Sequence, residues 1–248
     1  MVVIKMIYTS IQNDRIKELA KLKEKKYRDL TNLFLIEGEH LVREAYNHGC
    51  LKTLIKLENE AFALDIETLE VNEKVLNYIS SLKTSAKVIG VCQKKNDELI
   101  GNHLLLLDDV QDPGNLGTII RSAVAFNVDT VILGENCVDL YNEKVVRATQ
   151  GLIFGINIIS KNLDNLIPYL KEKEYKIYAT KVTGGKSLKS IEKSEKFAII
   201  MGNEGSGVKP SLLNACDEYL YIDMNKNCES LNVAVATGII LYELDKKV

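Results

Sequence analysis

The stretch HLLLLDDVQDPGNLGTIIRSA (residues 103–123) reads as a strand, a turn and a helix in succession. Leu104–Leu107 is a short apolar run followed by acidic residues, which is typical of a buried strand. The pair Pro113–Gly114 signals a turn, and a helical pattern begins at Leu116 and carries Arg121 on its second turn. A strand that leads through a polar turn into a helix is the repeating unit of an α/β fold.

The same alternation continues toward the C-terminus. The predicted strands are Leu104–Leu107, Val131–Leu133, Ile156–Ile159, Ile177–Ala179, Phe197–Met201 and Tyr219–Ile222. The predicted helices are Leu116–Phe126, Glu143–Gln150, Leu163–Lys173, Pro210–Ala215 and Leu231–Leu244. Apolar strands that alternate with helices predict a mostly parallel sheet with helices on both faces. Ligands bind beyond the carboxyl ends of the strands in such sheets, so the turns there are the candidate site.

The part of the chain before this region predicts a smaller α/β domain. Short apolar runs at Leu33–Ile36, Leu54–Leu57 and Val88–Cys92 lie between helical patterns. The stretch Lys94–Asn102 is polar and contains glycine, so it is the best candidate for a linker. We therefore predict an N-terminal domain over residues 1–96 and a larger domain over residues 103–248.

The composition is that of an ordinary globular protein, with 46% apolar and 27% charged residues in a chain of 248. The net charge of −2 provides no overall positive field that would steer nucleic acid. The three histidines share no metal-ligand spacing and the five cysteines form no C-x-x-C pair, so we expect no metal and a cytoplasmic protein. We also expect no membrane partner, because the chain shows neither a long apolar span nor a signal peptide.

Positive charge is nevertheless concentrated near the N-terminus, where residues 1–28 hold eight basic and three acidic side chains. An apolar helical face predicts one helix that starts at Asn13 or Asp14 and continues through this segment. Its basic stripe consists of Lys17, Lys21, Lys25 and Arg28. Both a solvated helix face and a face that follows a phosphate backbone fit such a stripe.

Two further motifs follow predicted strands. FAIIMGNEGSGV (residues 197–208) contains three glycines within six residues, which lets the backbone approach a ligand closely. Its order, G-x-x-G-x-G, differs from the dinucleotide fingerprint, and Glu204 within it is not needed for a turn. YIDMNKNCESLNVAVATGIILYEL (residues 221–244) predicts a buried helix that is capped by Glu229 or Ser230 and starts near Asn232.

In this order, the motifs N-x-G-x-x-x-R, G-x-E-G-x-G and E-S-L-N-V-A-V-A resemble those of the SpoU family of RNA 2′-O-ribose methyltransferases, in the SPOUT superfamily. The resemblance covers about residues 103–244. The segment KKYRDLTNLFLIEGEHLVREA (residues 25–45) is similar to the substrate-binding domain that these enzymes often carry.

The resemblance implies an α/β sheet with a deep C-terminal trefoil knot, S-adenosylmethionine bound in the knot, and a homodimer. It implies that the cofactor is held by backbone around Gly202, Ile222 and Leu231, with Thr180 at the edge of the pocket. The motif side chains near the reacting ribose would be Asn115, Arg121, Glu204, Ser230 and Asn232. With this resemblance the basic stripe becomes a candidate RNA-docking face, and we expect ribosomal RNA as substrate in preference to tRNA.

The chemistry of methyl transfer constrains the role of Arg121. A ribose 2′-oxygen attacks an activated methyl group, so the enzyme mainly aligns the reacting atoms, which contributes up to about 7–11 kcal/mol. Holding an arginine neutral at pH 7 as a base would cost roughly 8 kcal/mol, since each pKa unit is worth about 1.36 kcal/mol. We therefore expect Arg121 to grip an RNA phosphate, with Asn115 and Ser230 arranging its hydrogen bonds.

The third motif departs from the family pattern. Many members read I-P-M-x-G before E-S-L-N, whereas this chain has Asp223 in place of the proline and Lys226 in place of the glycine. Loss of proline adds backbone freedom, and lysine is costly where glycine allows a close approach or a positive φ. We expect weaker cofactor binding or a loop of different shape.

Three alternatives stay open from the sequence. The protein could be a tRNA 2′-O-methyltransferase, or a non-catalytic RNA-binding protein of the same fold. A nucleotide-binding oxidoreductase also has strand–glycine–helix turns, but the dinucleotide fingerprint and its downstream ribose-binding acid are missing.

Overall fold

The computed structural model of the chain describes residues 7–82, 84, 86–96, 98–182, 184–192 and 194–245. The chain divides into two compact units, one of Met1–Asn96 with Asp139–Phe154 and the other of Asp97–Val138 with Gly155–Val248. In chain order the described residues form β1 (Ile7–Tyr8), α1 (Asp14–Lys21), α2 (Lys25–Thr31), β2 (Leu33–Glu37), α3 (Glu39–Asn47), β3 (Leu51–Leu57), β4 (Thr68–Val71), α4 (Glu73–Ile79), β5 (Val88–Gln93), β6 (His103–Leu107), α5 (Pro113–Ala125), β7 (Thr130–Leu133), α6 (Glu143–Ala148), β8 (Asn157–Ser160), α7 (Leu163–Glu172), β9 (Lys176–Thr180), β10 (Lys186–Ser187), β11 (Phe197–Met201), α8 (Pro210–Ala215), β12 (Glu218–Tyr221) and α9 (Val233–Leu244). Short 3-10 helices lie at Leu152–Phe154 and Leu188–Ser190.

The sheet of the first unit has five strands in the order β1-β4-β3-β5-β2. β1, β4 and β3 pair in parallel, whereas β5 pairs antiparallel with both β3 and β2. Apolar side chains of α1 and α4, such as Ile16 and Val75, share one buried core with strand residues such as Ile55. The three strands predicted in this half are present, and the short strands β1 and β4 join them.

The prediction of one N-terminal helix is wrong, because the chain breaks at residues 22–24 between α1 and α2. Arg28 stabilises the break: its Nη1 donates to the carbonyl oxygens of Leu22 at 3.0 Å and Lys23 at 2.6 Å. Its Nη2 pairs with Asp139, which lies 111 positions further along the chain. Arg28 is only 4% exposed, so it does not belong to an exposed basic stripe.

Residues 139–154 pack with the first unit, although the sequence placed them in the C-terminal domain. The Phe34 ring of β2 contacts Tyr141, with ring centroids 4.5 Å apart, and stacks on Phe154 at 6.4 Å. Buried aromatic side chains contribute large contact areas. This aromatic cluster and the ion pair of Asp139 hold the segment in the first unit.

The second unit contains a seven-stranded sheet in the order β10-β12-β9-β11-β6-β7-β8, and each pairing among the described strands is parallel. The prediction of a mostly parallel sheet is confirmed. Leu104–Leu107 and Phe197–Met201 are buried along their whole length, as expected for strands covered on both faces. Because β12, β9, β11 and β6 are parallel neighbours, the segments that follow them leave the sheet at the same edge.

Candidate active site

A cavity of about 350 Å³ lies beyond the carboxyl ends of β9, β11 and β12. This volume is within the range of small-molecule sites, roughly 300–1,000 Å³. Segments that follow these strands line the cavity together with residues of α9. All four residues expected to hold the cofactor lie in the lining: Thr180, Gly202, Ile222 and Leu231. Two members of the expected catalytic group, Glu204 and Ser230, line it as well.

A larger hollow of about 750 Å³ lies at the opposite edge of the same sheet. Its polar groups already bond to one another: Asp129 accepts from the backbone N–H groups of Asn102 and His103, and Asn127 Nδ2 donates to Asp245. Parallel sheets bind ligands at their carboxyl edge. The smaller cavity is therefore the candidate site.

The loop after β11 folds closely on itself because it is rich in glycine. A Cβ atom at Gly202 would collide with the backbone of Gly207 and Val208. Asn203 and Gly207 close the loop with two backbone hydrogen bonds of 3.0 Å, and Gly207 has a φ of +70°. Glycine is thus required at position 202 by space and at position 207 by backbone angle.

Asn203 is a site residue that the sequence analysis missed. Its Oδ1 accepts from the backbone N–H groups of Gly205 at 2.9 Å and Ser206 at 3.1 Å. Its Nδ2 donates to the carbonyl oxygen of Asp109 at 2.9 Å, and Asp109 has a φ of +60° in the turn after β6. Asn203 therefore shapes its own loop and also holds a strained turn of the neighbouring motif. An asparagine two residues before a turn glycine is typical of an Asx turn, and this signal could have identified it.

Three of the predicted catalytic residues form one chain of hydrogen bonds. Asn232 Nδ2 donates to Asn115 Oδ1 at 2.9 Å, and Asn115 Nδ2 donates to Glu204 Oε1 at 2.9 Å. The backbone N–H of Asp112 also donates to Glu204 Oε1, at 3.4 Å. Asn115 and Asn232 are 117 positions apart, so the fold brings together side chains from three separate motifs.

The start of α5 fixes Asn115. Asp112 is the N-cap of this helix, and its Oδ1 accepts from the backbone N–H of Asn115 at 2.8 Å. The helix begins at Pro113 and not at the predicted Leu116. Proline fits the first position of a helix, but the first turn lacks the apolar periodicity from which the start was predicted. Asn115 is therefore on the first turn of a helix, and its side chain is free to face Glu204.

The start of α9 fixes Asn232 in the same way. Asn232 is the N-cap, and its Oδ1 accepts from the backbone N–H groups of Ala234 at 2.9 Å and Val235 at 3.3 Å. The prediction of Glu229 or Ser230 as the cap is therefore wrong. Because Asn232 uses its oxygen for the helix, its Nδ2 group is directed to Asn115.

Glu204 is ionised at neutral pH. Partial burial raises the pKa of this carboxyl group, but hydrogen bonds from the Asn115 side chain and from the backbone N–H groups of Glu204, Asp112 and Gln111 lower it by more. The pKa of Glu204 therefore lies below its ordinary value. A carboxylate with a low pKa is a weak base at neutral pH, so Glu204 is poorly suited to removing a proton. Its hydrogen bond to Asn115 suits it to orienting that side chain.

Arg121 and Ser230 stand apart from this chain of hydrogen bonds. Arg121 lies on α5 with an exposed side chain, and it makes no hydrogen bond or ion pair to any residue that the structure describes. Ser230 lines the cavity, and its carbonyl oxygen accepts from the Cys228 thiol at 3.3 Å. The expected hydrogen bonds of Asn115 and Ser230 to Arg121 are absent among the described residues, which leaves the guanidinium open to an external anion.

The predicted basic stripe is divided between two helices of the first unit. Lys17 and Lys21 lie on α1 and have no ion pair within the described part of the chain, and Lys21 lies over the Tyr27 ring at 5.4 Å. Lys25 lies on α2 and pairs with Asp29. With the arginine of α2 buried, the exposed lysines of these two helices are Lys21 on α1 and Lys25 and Lys26 on α2.

The described residues hold neither a metal-binding cluster nor a membrane-spanning helix. Within the ranges given above, no group of three His, Cys, Asp or Glu side chains could hold a metal ion. No described helix is both long and apolar enough to cross a membrane.

Comparisons with known proteins cover almost the whole chain. Residues 102–242 match the SpoU rRNA methylase family, and residues 13–90 match the MRM3-like substrate-binding domain. The 23S rRNA (guanosine(2553)-2′-O)-methyltransferase RlmP of Bacillus subtilis is 39% identical over 95% of this chain and 97% of its own.

Solved structures show the same fold. The crystal structure of an AdoMet-bound rRNA methyltransferase from Sinorhizobium meliloti superposes with a TM-score of 0.85 at 33% identity and covers 96% of this chain and 97% of that one. The SpoU methyltransferase AviRb of Streptomyces viridochromogenes, crystallised with AdoMet, has a TM-score of 0.85 at 22% identity, over 95% of this chain and 98% of that one.

Proposed function

The chain belongs to the SpoU rRNA methylase family, and we propose that it methylates a ribose 2′-hydroxyl of 23S ribosomal RNA with S-adenosylmethionine as methyl donor. The observation that carries the proposal is the chain of hydrogen bonds Asn232–Asn115–Glu204 beside a cavity at the carboxyl edge of a parallel sheet. The Bacillus subtilis relative supports 23S rRNA as substrate, because its identity extends over nearly all of both chains. The cytoplasm, where such a bacterium makes its ribosomes, is the location that this substrate implies.

The lining of the cavity fits S-adenosylmethionine. Leu220, Val233 and Ile240 offer apolar contacts to an adenine ring, and the Glu204 carboxylate in the lining complements a sulfonium cation. The close backbone approach at Gly202 leaves space that a side chain would fill. When bound, S-adenosylmethionine supplies a methyl group already activated for transfer. The residues proposed to hold it are Thr180, Gly202, Ile222 and Leu231.

We assign alignment to the polar side chains of the site. Asn115 is held from both sides, by Asn232 and Glu204, so its position is set before RNA binds. Preorganised alignment contributes up to about 7–11 kcal/mol to such a transfer. Ser230, in the lining of the same cavity, is proposed to contact the reacting ribose. Arg121 remains charged and binds an RNA phosphate, since its neutral form would cost roughly 8 kcal/mol.

We also propose the trefoil knot of the SPOUT superfamily for the C-terminal part of the chain. The support is that segments following β9, β11 and β12 line one cavity although they are separated along the chain. In the proposed arrangement the segment after β12 passes through the loop that precedes it.

A homodimer is part of the same proposal. Val235, Ile239 and Tyr242 are spaced by four and three residues, so they share one face of α9. They are 50%, 40% and 56% exposed on a helix whose other apolar side chains are largely buried. Phe126, at the end of α5, packs edge-on against Tyr242 and extends this face. Apolar faces of this kind are typical of subunit interfaces.

The first unit is proposed to dock the RNA. The support is its match to a substrate-binding domain together with two lysines on α1, the half-buried Lys17 and the exposed Lys21. Lys25 is assigned a smaller share because Asp29 neutralises it. Arg28 is not part of this surface.

Transfer of labelled methyl groups to defined RNAs tests the function. Purified protein is incubated with labelled S-adenosylmethionine and either 23S rRNA or tRNA, and 2′-O-methyl sites are mapped in cells with and without the gene. We expect one ribose of 23S rRNA to be methylated, and Arg121→Lys to lower turnover about tenfold or more through loss of the bidentate phosphate contact.

The other outcomes point either to a different function or to a different role for Arg121. Methylation of tRNA alone would favour the tRNA methyltransferase. Tight RNA binding without heat of S-adenosylmethionine binding in calorimetry would favour a non-catalytic RNA-binding protein. Near-normal turnover of Arg121→Lys with intact RNA binding would contradict the role proposed for Arg121.

A further inference from the structure

The loop between β12 and α9, residues 222–231, forms one wall of the cavity, and we name it the cofactor loop. Ile222 and Met224, near its start, both line the cavity. Asp223 lies between them and directs its carboxylate to a different segment of the chain, where it meets Ser187. Successive side chains alternate in extended chain, so a residue between two cavity-lining neighbours is placed to anchor the loop from behind.

The anchor consists of one hydrogen bond and one longer ion pair. Ser187 Oγ donates to Asp223 Oδ2 at 2.5 Å, and Lys189 Nζ lies 3.9 Å from the same oxygen. The Asp223 side chain is 39% exposed, whereas that of Lys189 is 82% exposed. Hydrogen bonds to an ionised acceptor are stronger than neutral ones, and exposed ion pairs contribute little. The Ser187 bond is therefore the main part of the anchor.

The backbone brings these residues together at the edge of the sheet. β10 has only two residues, and Ser187, the second, is opposite Tyr221 at the end of β12. A Cβ atom at Gly185 would lie 2.5 Å from the carbonyl oxygen of Tyr219, so glycine permits this close pairing. The bond from Ser187 to Asp223 extends the contact two residues beyond the last backbone pair, into the cofactor loop.

The other hydrogen bonds within the cofactor loop are local. Cys228 N donates to the carbonyl oxygen of Asn225 at 2.9 Å, and Asn227 N donates to Asn225 Oδ1 at 2.9 Å. Among the residues that the structure describes, Ser187 supplies the hydrogen bond that ties residues 222–231 to another segment. Ordering a loop on ligand binding costs conformational entropy, so a loop already anchored binds its ligand more tightly.

We propose that Asp223 is a positioning residue, which holds the cofactor loop in the binding conformation through Ser187. This inference rests on the proposed cofactor site. The sequence has aspartate here where proline is common among family members, and a side-chain anchor replaces the restraint on φ that proline would supply. The expectation of weakened cofactor binding from loss of proline is thereby changed: the restraint is present but depends on one side-chain contact.

Calorimetric titration of S-adenosylmethionine into the full-length protein tests the proposal, with Asp223→Ala, Ser187→Ala and the double variant. We expect each single variant to raise the Kd about tenfold, as for loss of one hydrogen bond to a charged group. The double variant should show no further increase, because both changes remove the same contact. In turnover assays the KM for S-adenosylmethionine should rise while kcat at saturation stays within about twofold.

Three controls separate anchoring from general damage to the fold. Ser190→Ala removes a hydroxyl that bonds within its own turn, to the carbonyl oxygen of Ser187, and should leave the Kd unchanged. Asp223→Asn keeps an oxygen acceptor and should restore most of the affinity that Asp223→Ala loses. Lys189→Met should change the Kd by less than about twofold.

The outcomes distinguish this inference from the proposed function. If the unaltered protein binds S-adenosylmethionine and both alanine variants bind it equally well, the anchor has no role in binding. Additive effects in the double variant would also overturn the proposal, because they exclude a shared contact. Absence of binding by the unaltered protein would instead overturn the proposed function, and the inference with it.

Discussion

The two sheets of the molecule hold their candidate functional residues in different ways. In the seven-stranded sheet three candidates each follow a parallel strand, so the order of the strands brings Asn115, Glu204 and Ile222 to one edge. In the five-stranded unit the candidates are basic residues spaced along a predicted helix, and their common face depends on that helix being continuous. The helix breaks, and Arg28 turns inward. Site residues at the ends of strands can therefore be predicted more reliably than a basic surface that is inferred from the spacing of charges.

The largest effect that sharpens this comparison is expected from Arg28→Ala. The change leaves Asp139, whose side chain is 16% exposed, without its buried partner. Breaking a buried ion pair should lower the free energy of unfolding by about 3 kcal/mol. Urea denaturation measures this loss, and Lys26→Ala, an exposed change on the same helix, should stay within about 0.5 kcal/mol.

RNA binding by the folded Arg28→Ala variant should be unchanged. A variant of normal stability that binds RNA weakly would return Arg28 to the docking surface and remove the contrast between the two units.

The next effect concerns the polar network of the second unit. Glu204→Ala removes the acceptor that holds Asn115, and misalignment of this kind should lower kcat about 100-fold in the methyl-transfer assay. Glu172→Ala, an exposed change at the end of α7, serves as the control. A kcat within twofold of normal would show that the network does not align the substrate.

The lowered pKa of Glu204 sets the sign of its pH dependence. The carboxylate and the stability it contributes are fully present above the ordinary pKa of the group, and both are lost as the pH falls through the lowered folded-state value. Between pH 6 and 9, Glu204 should therefore add no step to the pH–rate profile.

Gly202→Ala should have a smaller but clear effect on stability. The added methyl group would collide with backbone at Gly207 and Val208, and such overpacking costs about 2 kcal/mol. Gly205→Ala is a matched control in the same loop, since its Cβ would lie 3.6 Å from the nearest atom, Asn203 Oδ1. Thermal denaturation with and without S-adenosylmethionine compares the two. Equal melting temperatures would mean that the loop shifts without cost.

The smallest effect is expected from Lys17, Lys21 and Lys25 changed together to glutamine. RNA affinity at about 0.15 M salt should fall about threefold to tenfold, with a slightly smaller salt slope, because only a few phosphate contacts are lost. Cofactor binding should not change. Lys52→Gln, an exposed change on β3, is the control. Unchanged RNA affinity would make the lysines an ordinary solvated face.

Much of the second unit follows from local sequence. Phe197–Met201 and Pro210–Ala215 are observed with the predicted bounds, because a run buried on both faces and a proline at the first helical position are signals that need no distant partner. That Thr180, Gly202 and Leu231 line the cavity could be predicted only from the family resemblance. Which strands are neighbours cannot be derived from apolar runs alone.

The missed features depend on contacts between distant residues. Arg28 stabilises the break after α1 together with a partner 111 positions away, and Asn232 both caps α9 through its oxygen and bonds through its Nδ2 to Asn115, 117 positions away. Asn203 looked like one polar residue in a glycine loop, and its bond to Asp109 crosses 94 positions. Short strands such as β10 escape notice because two polar residues carry no periodicity.

The insertion of Asp139–Phe154 into the first unit has a consequence for biosynthesis. The first unit cannot finish folding when Asn96 leaves the ribosome, because the covering for Phe34 and the partner of Arg28 are not yet made. At about 5–20 residues per second, the wait from residue 96 to residue 154 is roughly 3–12 s. During that interval β6, α5 and β7 of the other unit emerge, so the nascent chain carries two unfinished units at once. For the same reason, cleavage of the finished chain at one peptide bond cannot release either unit intact.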